Sequence, residues 1–168
     1  MAILTTGSEL ASSGSTLQPG QIRDANGPYL QALLTRLGSE GSTQRSAADS
    51  VAALRAELAQ LADRCELILT TGGVSAGRLD LVPDVVRALG GEILFHKVAI
   101  RPGKPILLAR LPGGTLLFGL PGNPLAVAVG MRFFVMPALR AMQGMAAEVF
   151  TPALCDAAVR SRGQLRFF

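Results

Sequence analysis

With 168 residues, 49% hydrophobic and only 17% charged, the chain is long and apolar enough for one α/β domain with a real core, which excludes a disordered tail. A net charge of +4, scattered arginines, seven phenylalanines, one tyrosine and no tryptophan supply no aromatic platform interleaved with basic residues, which argues against a nucleic-acid partner. Neither a run of about eighteen apolar residues nor a basic stretch followed by an apolar one opens the chain, so the expectation is a cytoplasmic protein with no membrane span and no secretory signal.

In chain order, residues 2–5 read as a short apolar strand that runs into the turn Gly7-Ser8-Glu9, followed by a Ser-, Gly- and Pro-rich loop over 11–21. Asp24-Ala25-Asn26-Gly27-Pro28 opens a helix whose apolar face is Tyr29, Leu30, Leu33, Leu34 and Leu37, and Gly38 closes it. Residues 39–47 sit where an alternating fold needs its second strand, yet they are polar: either a poor edge strand or a loop. A helix over 50–62 follows, then a strand over 65–69 that includes Cys65 as a small core hydrophobe, and a helix over 81–89 closed by Gly90-Gly91. Strands over 92–98 and 106–111 flank the turn Arg101-Pro102-Gly103-Lys104-Pro105, and Pro112-Gly113-Gly114 is a hairpin-like link to a strand over 115–119. Residues 126–142 read as a largely apolar, buried helix.

Strand, crossover helix and strand in alternation predict a three-layer α/β/α domain over 1–148 with a mostly parallel sheet covered on both faces. After about residue 149 the pattern turns β-rich, and residues 149–168 are expected to be the truncated start of a second, small β domain.

In such a fold, ligands bind beyond the carboxyl ends of the strands. Four loops are predicted to end there: Thr6-Gly7-Ser8-Glu9, the segment around Asp49, residues 72–80, and Pro121-Gly122-Asn123-Pro124. Glu9, Asp49 and Asp80 would together offer hard oxygen donors to Mg²⁺. Each also has a plain alternative, Glu9 as a turn residue and the two aspartates as caps of the helices that follow. Thr71, Gly72, Gly73 and Ser75 either cradle a phosphate through backbone amides and hydroxyls or form an ordinary strand-to-helix turn. Lys104, held between two prolines, is either an anion contact or a solvated surface charge. Asn123 either satisfies its own turn or points into the site, while Pro121 and Pro124 stiffen the backbone around it. The single histidine, His96, reads as structural, and no nucleophile–histidine–acid arrangement is visible, which disfavours hydrolysis through a covalent intermediate.

Five ordered motifs carry a resemblance to a known family: Thr5-Thr6-Gly7-Ser8-Glu9-Leu10, the run from Pro19 to Asn26, the run from Leu69 to Asp80, Arg101-Pro102-Gly103-Lys104-Pro105, and Gly119-Leu120-Pro121-Gly122-Asn123-Pro124. Over residues 2–168 the chain resembles the central domain of the molybdopterin molybdenumtransferases, the MoeA family that includes the E domain of gephyrin. The resemblance implies the α/β fold of MogA and MoaB, followed by a small β-barrel domain. It also implies adenylylated molybdopterin and molybdate as substrates, Mg²⁺, insertion of molybdenum and release of AMP. The family's functional acids fall on Glu9, Asp49 and Asp80, its turn prolines on Pro121 and Pro124, and its nucleotide–pterin site on Gly72, Gly73 and Ser75, with Lys104 a further contact. The implied partners are a second copy in a full-length homodimer, an adenylyltransferase and a molybdoenzyme.

Several departures bear on activity. Ser8 stands where the family usually has Asp, Ser50 where it often has a second acid, and Ala25 where serine is common, and Gly41 to Arg45 is polar where the family's strand before Asp49 is normally apolar. The family's N-terminal domains, which complete the cleft across the dimer, have no counterpart in this sequence. Rival readings are a MogA-like adenylyltransferase, a non-catalytic binding or scaffold domain, and a competence-damage protein on the same fold. The Pro-Gly-Asn-Pro turn disfavours the first, and the Gly-Gly-Val-Ser-x-Gly-x-x-Asp run disfavours the last.

Overall fold

The computed structural model describes residues 1–11, 14–39, 42–48, 50–73 and 81–151, together with the backbone of 165–166. The strands are β1 Ala2–Thr6, β2 Leu10–Ala11, β3 Ile22–Arg23, β4 Thr43–Ala47, β5 Leu67–Thr71, β6 Glu92–His96, β7 Ile100–Arg101, β8 Leu107–Arg110, β9 Leu116–Leu120 and β10 Leu165–Arg166. The helices are α1 Asn26–Arg36, α2 Val51–Ala62, α3 Leu81–Ala88, α4 Pro124–Gly130 and α5 Met136–Met142.

A six-stranded sheet in the order β4-β1-β5-β9-β8-β6 forms the middle layer. β4, β1, β5 and β9 run parallel, and β8 alone is reversed, antiparallel to both β9 and β6. The alternation of side chains along each strand divides the core in two. Ala2, Leu4, Ile68, Leu107, Ala109 and Leu117 meet Leu54, Leu58 and Leu61 of α2 and Val82, Val85 and Val86 of α3. Ile3, Leu67, Leu69, Phe118 and Leu120 meet Leu30 and Leu34 of α1 and Val127, Met131, Val135 and Leu139 of the last helical rod. Each fully buried leucine contributes about 1.5–3 kcal/mol relative to exposure, so both layers are held by apolar burial. The expected three-layer, mostly parallel architecture is the one found.

The polar residues 43–47 do form a strand, at the open edge of the sheet beside β1. An edge strand pairs on one side only, and here its side chains reach polar partners at the margins of the flanking helices. The Arg45 guanidinium donates to Glu57 at 3.0 Å and to Gln60 at 3.3 Å, and Gln44 donates to Asp24 at 3.4 Å. The 11–21 loop returns so that β3 pairs with β2, the Ile22 amide donating to the Glu9 carbonyl at 2.8 Å.

Two elements differ from expectation. Cys65 lies before β5 rather than in it and is half-buried, because the apolar strand begins only at Leu67. The predicted single helix over 126–142 begins at Pro124 and is interrupted by a π-turn, Met131–Val135, where the Met136 amide donates to the Met131 carbonyl. Pro137 follows immediately; lacking an amide and clashing with the preceding turn, it is accommodated by the wider loop. This rod, Pro124–Met142, is 19 residues long and apolar enough to cross a membrane by length and composition alone. Its buried stripe on the sheet and its two arginines, Arg132 and Arg140, make it a core helix here.

Beyond α5 the chain folds back along the rod. Arg132 grips Glu148 with two hydrogen bonds of 2.6 and 3.0 Å, and its guanidinium lies 5.7 Å from the Phe133 ring and 5.6 Å from that of Phe150. β10 then pairs with β7, Leu165 opposite Ile100 and Arg166 opposite Arg101. The remaining residues expected to form a second domain, 152–164 and 167–168, lie outside the described residues.

Candidate functional site

The carboxyl ends of the four parallel strands are level: Thr6 is paired with Ala47, Thr5 with Thr71, and Thr71 with Leu120. Their following loops therefore leave from one rim. β8, running the other way, begins at that rim, with Leu107 opposite Gly119, so the Arg101–Pro105 turn arrives there too.

Thr6 and Thr71 are buried, and the Thr6 hydroxyl donates to the Thr71 carbonyl at 3.1 Å. The chain then turns sharply over the end of β1. Gly72 has φ +86°, and a Cβ on it would stand 2.6 Å from the Thr6 carbonyl oxygen, so only glycine fits. The Gly72 amide donates to the Leu120 carbonyl at 3.1 Å, and the Gly73 carbonyl accepts from the Val82 amide at 3.2 Å, which ties the turn after β5 to the start of α3. After β1, the Leu10 amide closes a turn onto the Gly7 carbonyl at 3.1 Å. The Glu9 side chain is exposed, and its carboxylate lies over Gly7, 2.9 Å from where a Cβ would be.

At the end of β9, Pro121 is buried and Asn123 caps α4, its Oδ1 accepting from the Ala126 amide at 3.1 Å with Pro124 in the first turn. Asn123 thus satisfies its own turn through that oxygen. A groove of about 440 Å³ runs between this turn and the 101–105 turn, lined among others by Arg101, Lys104, Pro121, Asn123 and Ala126. Lys104 is exposed on it, while its carbonyl accepts from the Val98 amide at 2.8 Å and the Gly103 carbonyl accepts from Ile106 at 3.1 Å, which fixes the turn from within.

One rim therefore gathers Thr6, Gly7, Ser8, Glu9, Thr71, Gly72, Gly73, Lys104, Pro121, Gly122, Asn123 and Pro124. Asp49, Ser75 and Asp80 lie outside the described residues. Among the described residues, no three His, Cys, Asp or Glu side chains are grouped to hold a metal ion. Ser50, which follows Asp49, is the cap of α2, its hydroxyl accepting from the Ala53 amide at 3.1 Å. Sequence reasoning missed Asn26. Its side chain donates to the Gly122 carbonyl at 2.8 Å across 96 residues of sequence, and the signal for it was a carboxamide two positions after Asp24, whose own carboxylate accepts from the Gly27 amide at 2.9 Å.

A three-layer α/β domain whose glycine-rich and proline-rich loops share one rim defines a small-ligand-binding domain. The sequence family described as "Probable molybdopterin binding domain" matches residues 2–141, and the chain belongs to that family. It is 39% identical over 150 residues, 89% of the chain, to a molybdopterin molybdenumtransferase from Staphylococcus aureus, and 36% identical over 144 residues to one from Staphylococcus epidermidis. The chain spans about a third of the length of these curated relatives, 35% and 34%. Among solved structures, the MoeA molybdopterin biosynthesis protein from Pyrococcus horikoshii superimposes with a TM-score of 0.76 at 33% identity, covering 85% of this chain and 35% of that one. The molybdopterin biosynthesis Mog protein from Mycobacterium ulcerans, at 21% identity and a TM-score of 0.61, covers 86% of this chain and 96% of that one and shares the fold.

Proposed function

We propose that this chain is the ligand-binding domain of a molybdopterin molybdenumtransferase, acting in molybdenum cofactor biosynthesis. In this reading it binds adenylylated molybdopterin, and molybdenum from molybdate enters the dithiolene as AMP is released. The observation that carries the reading is the shared rim, where the Gly72 turn, the Pro121–Pro124 turn and the Glu9 turn leave from neighbouring strand ends. The names of the relatives supply the substrate class.

In this reading the ligand's phosphates lie against the main chain of the Gly72-Gly73 turn at the rim. Lys104 and Arg101, both exposed on the groove, supply positive charge for an anionic body. Glu9 is exposed and makes no hydrogen bond through its carboxylate among the described residues, the condition expected of an oxygen donor left for a cation. Together with Asp49 and Asp80, which follow β4 and β5 in sequence, it would supply the hard oxygen donors that Mg²⁺ prefers. Bound Mg²⁺ would neutralise the anhydride phosphates during cleavage. The same acids orient the water whose oxygen bonds to phosphorus as the P–O bond to the leaving phosphate breaks.

We assign residues 1–148 to this domain and 149–168 to the start of a β-rich one, on the change in sequence character after residue 149. A homodimeric, cytoplasmic full-length protein, fed by an adenylyltransferase and serving molybdoenzymes, completes the proposal. The test is a titration of the chain with adenylylated molybdopterin, with and without Mg²⁺ and molybdate, following AMP. Binding that tightens with Mg²⁺ is expected. Binding without AMP release would assign ligand capture to this domain and turnover to the longer protein, and no binding at all would overturn the proposal.

A further inference from the structure

We infer that Asn26 is a positioning residue that locks the two ligand loops of the rim into one unit. This rests on the ligand-binding reading above. Asn26 is the first residue of α1 and is 9% exposed. A carbonyl oxygen can only accept, so the bond of 2.8 Å to Gly122 requires the amide nitrogen of Asn26 to face the turn and fixes the orientation of the carboxamide. Gly122 in turn lies against the other loop: a Cβ built on it would stand 4.0 Å from the Gly72 Cα. Gly72 is held to the end of β9 by its own amide, which donates to Leu120 at 3.1 Å. One side chain thereby ties helix α1 to the Pro121–Pro124 turn, and that turn lies against the Gly72 turn.

The other end of that side chain argues against a stabilising role. Among the described residues, the Asn26 Oδ1 is buried without a hydrogen-bond partner. An unpaired buried acceptor weakens a fold, and a small apolar residue would avoid the penalty. What the carboxamide supplies is the fixed position of Gly122, and with it the wall that Pro121 and Asn123 give to the groove facing Lys104. Loops held in their binding geometry before the ligand arrives lose less freedom on binding, so the lock acts on affinity rather than on stability.

The test compares wild type with Asn26→Ala and Asn26→Asp, using AMP with Mg²⁺ as the probe and thermal unfolding as the control. Asn26→Ala removes the lock and the orphaned oxygen together. It is expected to keep the wild-type melting temperature within a few degrees while binding AMP roughly tenfold more weakly. Asn26→Asp has no donor when ionised but regains one when protonated. Its affinity relative to wild type is expected to recover as pH falls through the carboxyl range, a profile that mere packing would not produce. Unweakened AMP binding by a folded Asn26→Ala overturns the inference while leaving the ligand reading intact. Should wild type itself not bind AMP, amide hydrogen exchange decides the lock. Exchange at Gly72 and Asn123 is expected to rise about tenfold together in Asn26→Ala, and unchanged exchange at either overturns it.

Discussion

The Thr6 hydroxyl donates to the main-chain carbonyl of Thr71 at 3.1 Å, a bond that crosses between the ends of two neighbouring parallel strands. Immediately above it the chain bends at Gly72 with φ +86°, so close to Thr6 that no side chain fits. Gly72→Ala is therefore expected to combine a left-handed backbone penalty of about 1–2 kcal/mol with an overpacking penalty of about 1–3 kcal/mol. The melting temperature should fall by roughly 5–15 °C, checked by calorimetry, and ligand titration should show loss of binding. A variant that melts with wild type would show that the turn has room the geometry denies it.

Ser50 caps α2, its hydroxyl accepting from the Ala53 amide at 3.1 Å. Ser50→Ala should cost about 1 kcal/mol, read from urea denaturation, whereas Ser50→Asp retains a capping oxygen and should leave stability nearly unchanged. Equal losses in both would mean that the hydroxyl does more than cap.

Glu9→Gln removes a charge from an exposed carboxylate and should leave the fold intact while weakening the Mg²⁺-dependent part of ligand binding by about tenfold or more. Asp80→Asn should abolish Mg²⁺-dependent binding or turnover. The measurement is ligand affinity as a function of Mg²⁺ concentration, and an unaltered Mg²⁺ requirement in either variant removes that residue from the cation site.

The Arg132 hydrogen bonds hold the Glu148 carboxyl below its ordinary value of 4.5, reinforced by the positive charges of Arg132 and Arg140 and opposed by burial. A carboxylate whose folded value is depressed stabilises the folded arrangement above its unfolded value, and the benefit disappears as pH falls through the folded one. The fold-back of residues 144–151 should therefore persist through the normal glutamate range and loosen only at more acidic pH. NMR titration of the Glu148 carboxyl and amide exchange over 145–150 would follow this, and Glu148→Gln should make exchange in the segment independent of acid.

The sheet and its layers were legible because apolar runs such as Leu67–Thr71 and Leu116–Leu120 announce buried parallel strands and Leu54, Leu58 and Leu61 announce a helix face. The strand β4 was ambiguous because Gln44 and Arg45 make their contacts with polar groups at the helix margins rather than with the core. The π-turn was invisible because a helix and a π-bulged helix share nearly the same apolar repeat, and Pro137 alone hinted at it. The rim loops were legible from their glycines and prolines. Asn26 was not, because its partner Gly122 is a main-chain carbonyl 96 residues away, which leaves no trace in side-chain spacing.

The reversed strand β8 enters the sheet beside the ligand loops and leaves it at the far end, where Pro112–Gly114 joins it to β9. A side chain built on Gly113 or Gly114 would meet no heavy atom within 4 Å. Four residues of strand, roughly 13 Å, thus separate an uncrowded bend from the rim. A reporter peptide or a surface tether inserted at that bend would leave the domain's working end free, which makes this hairpin the natural handle for immobilising it.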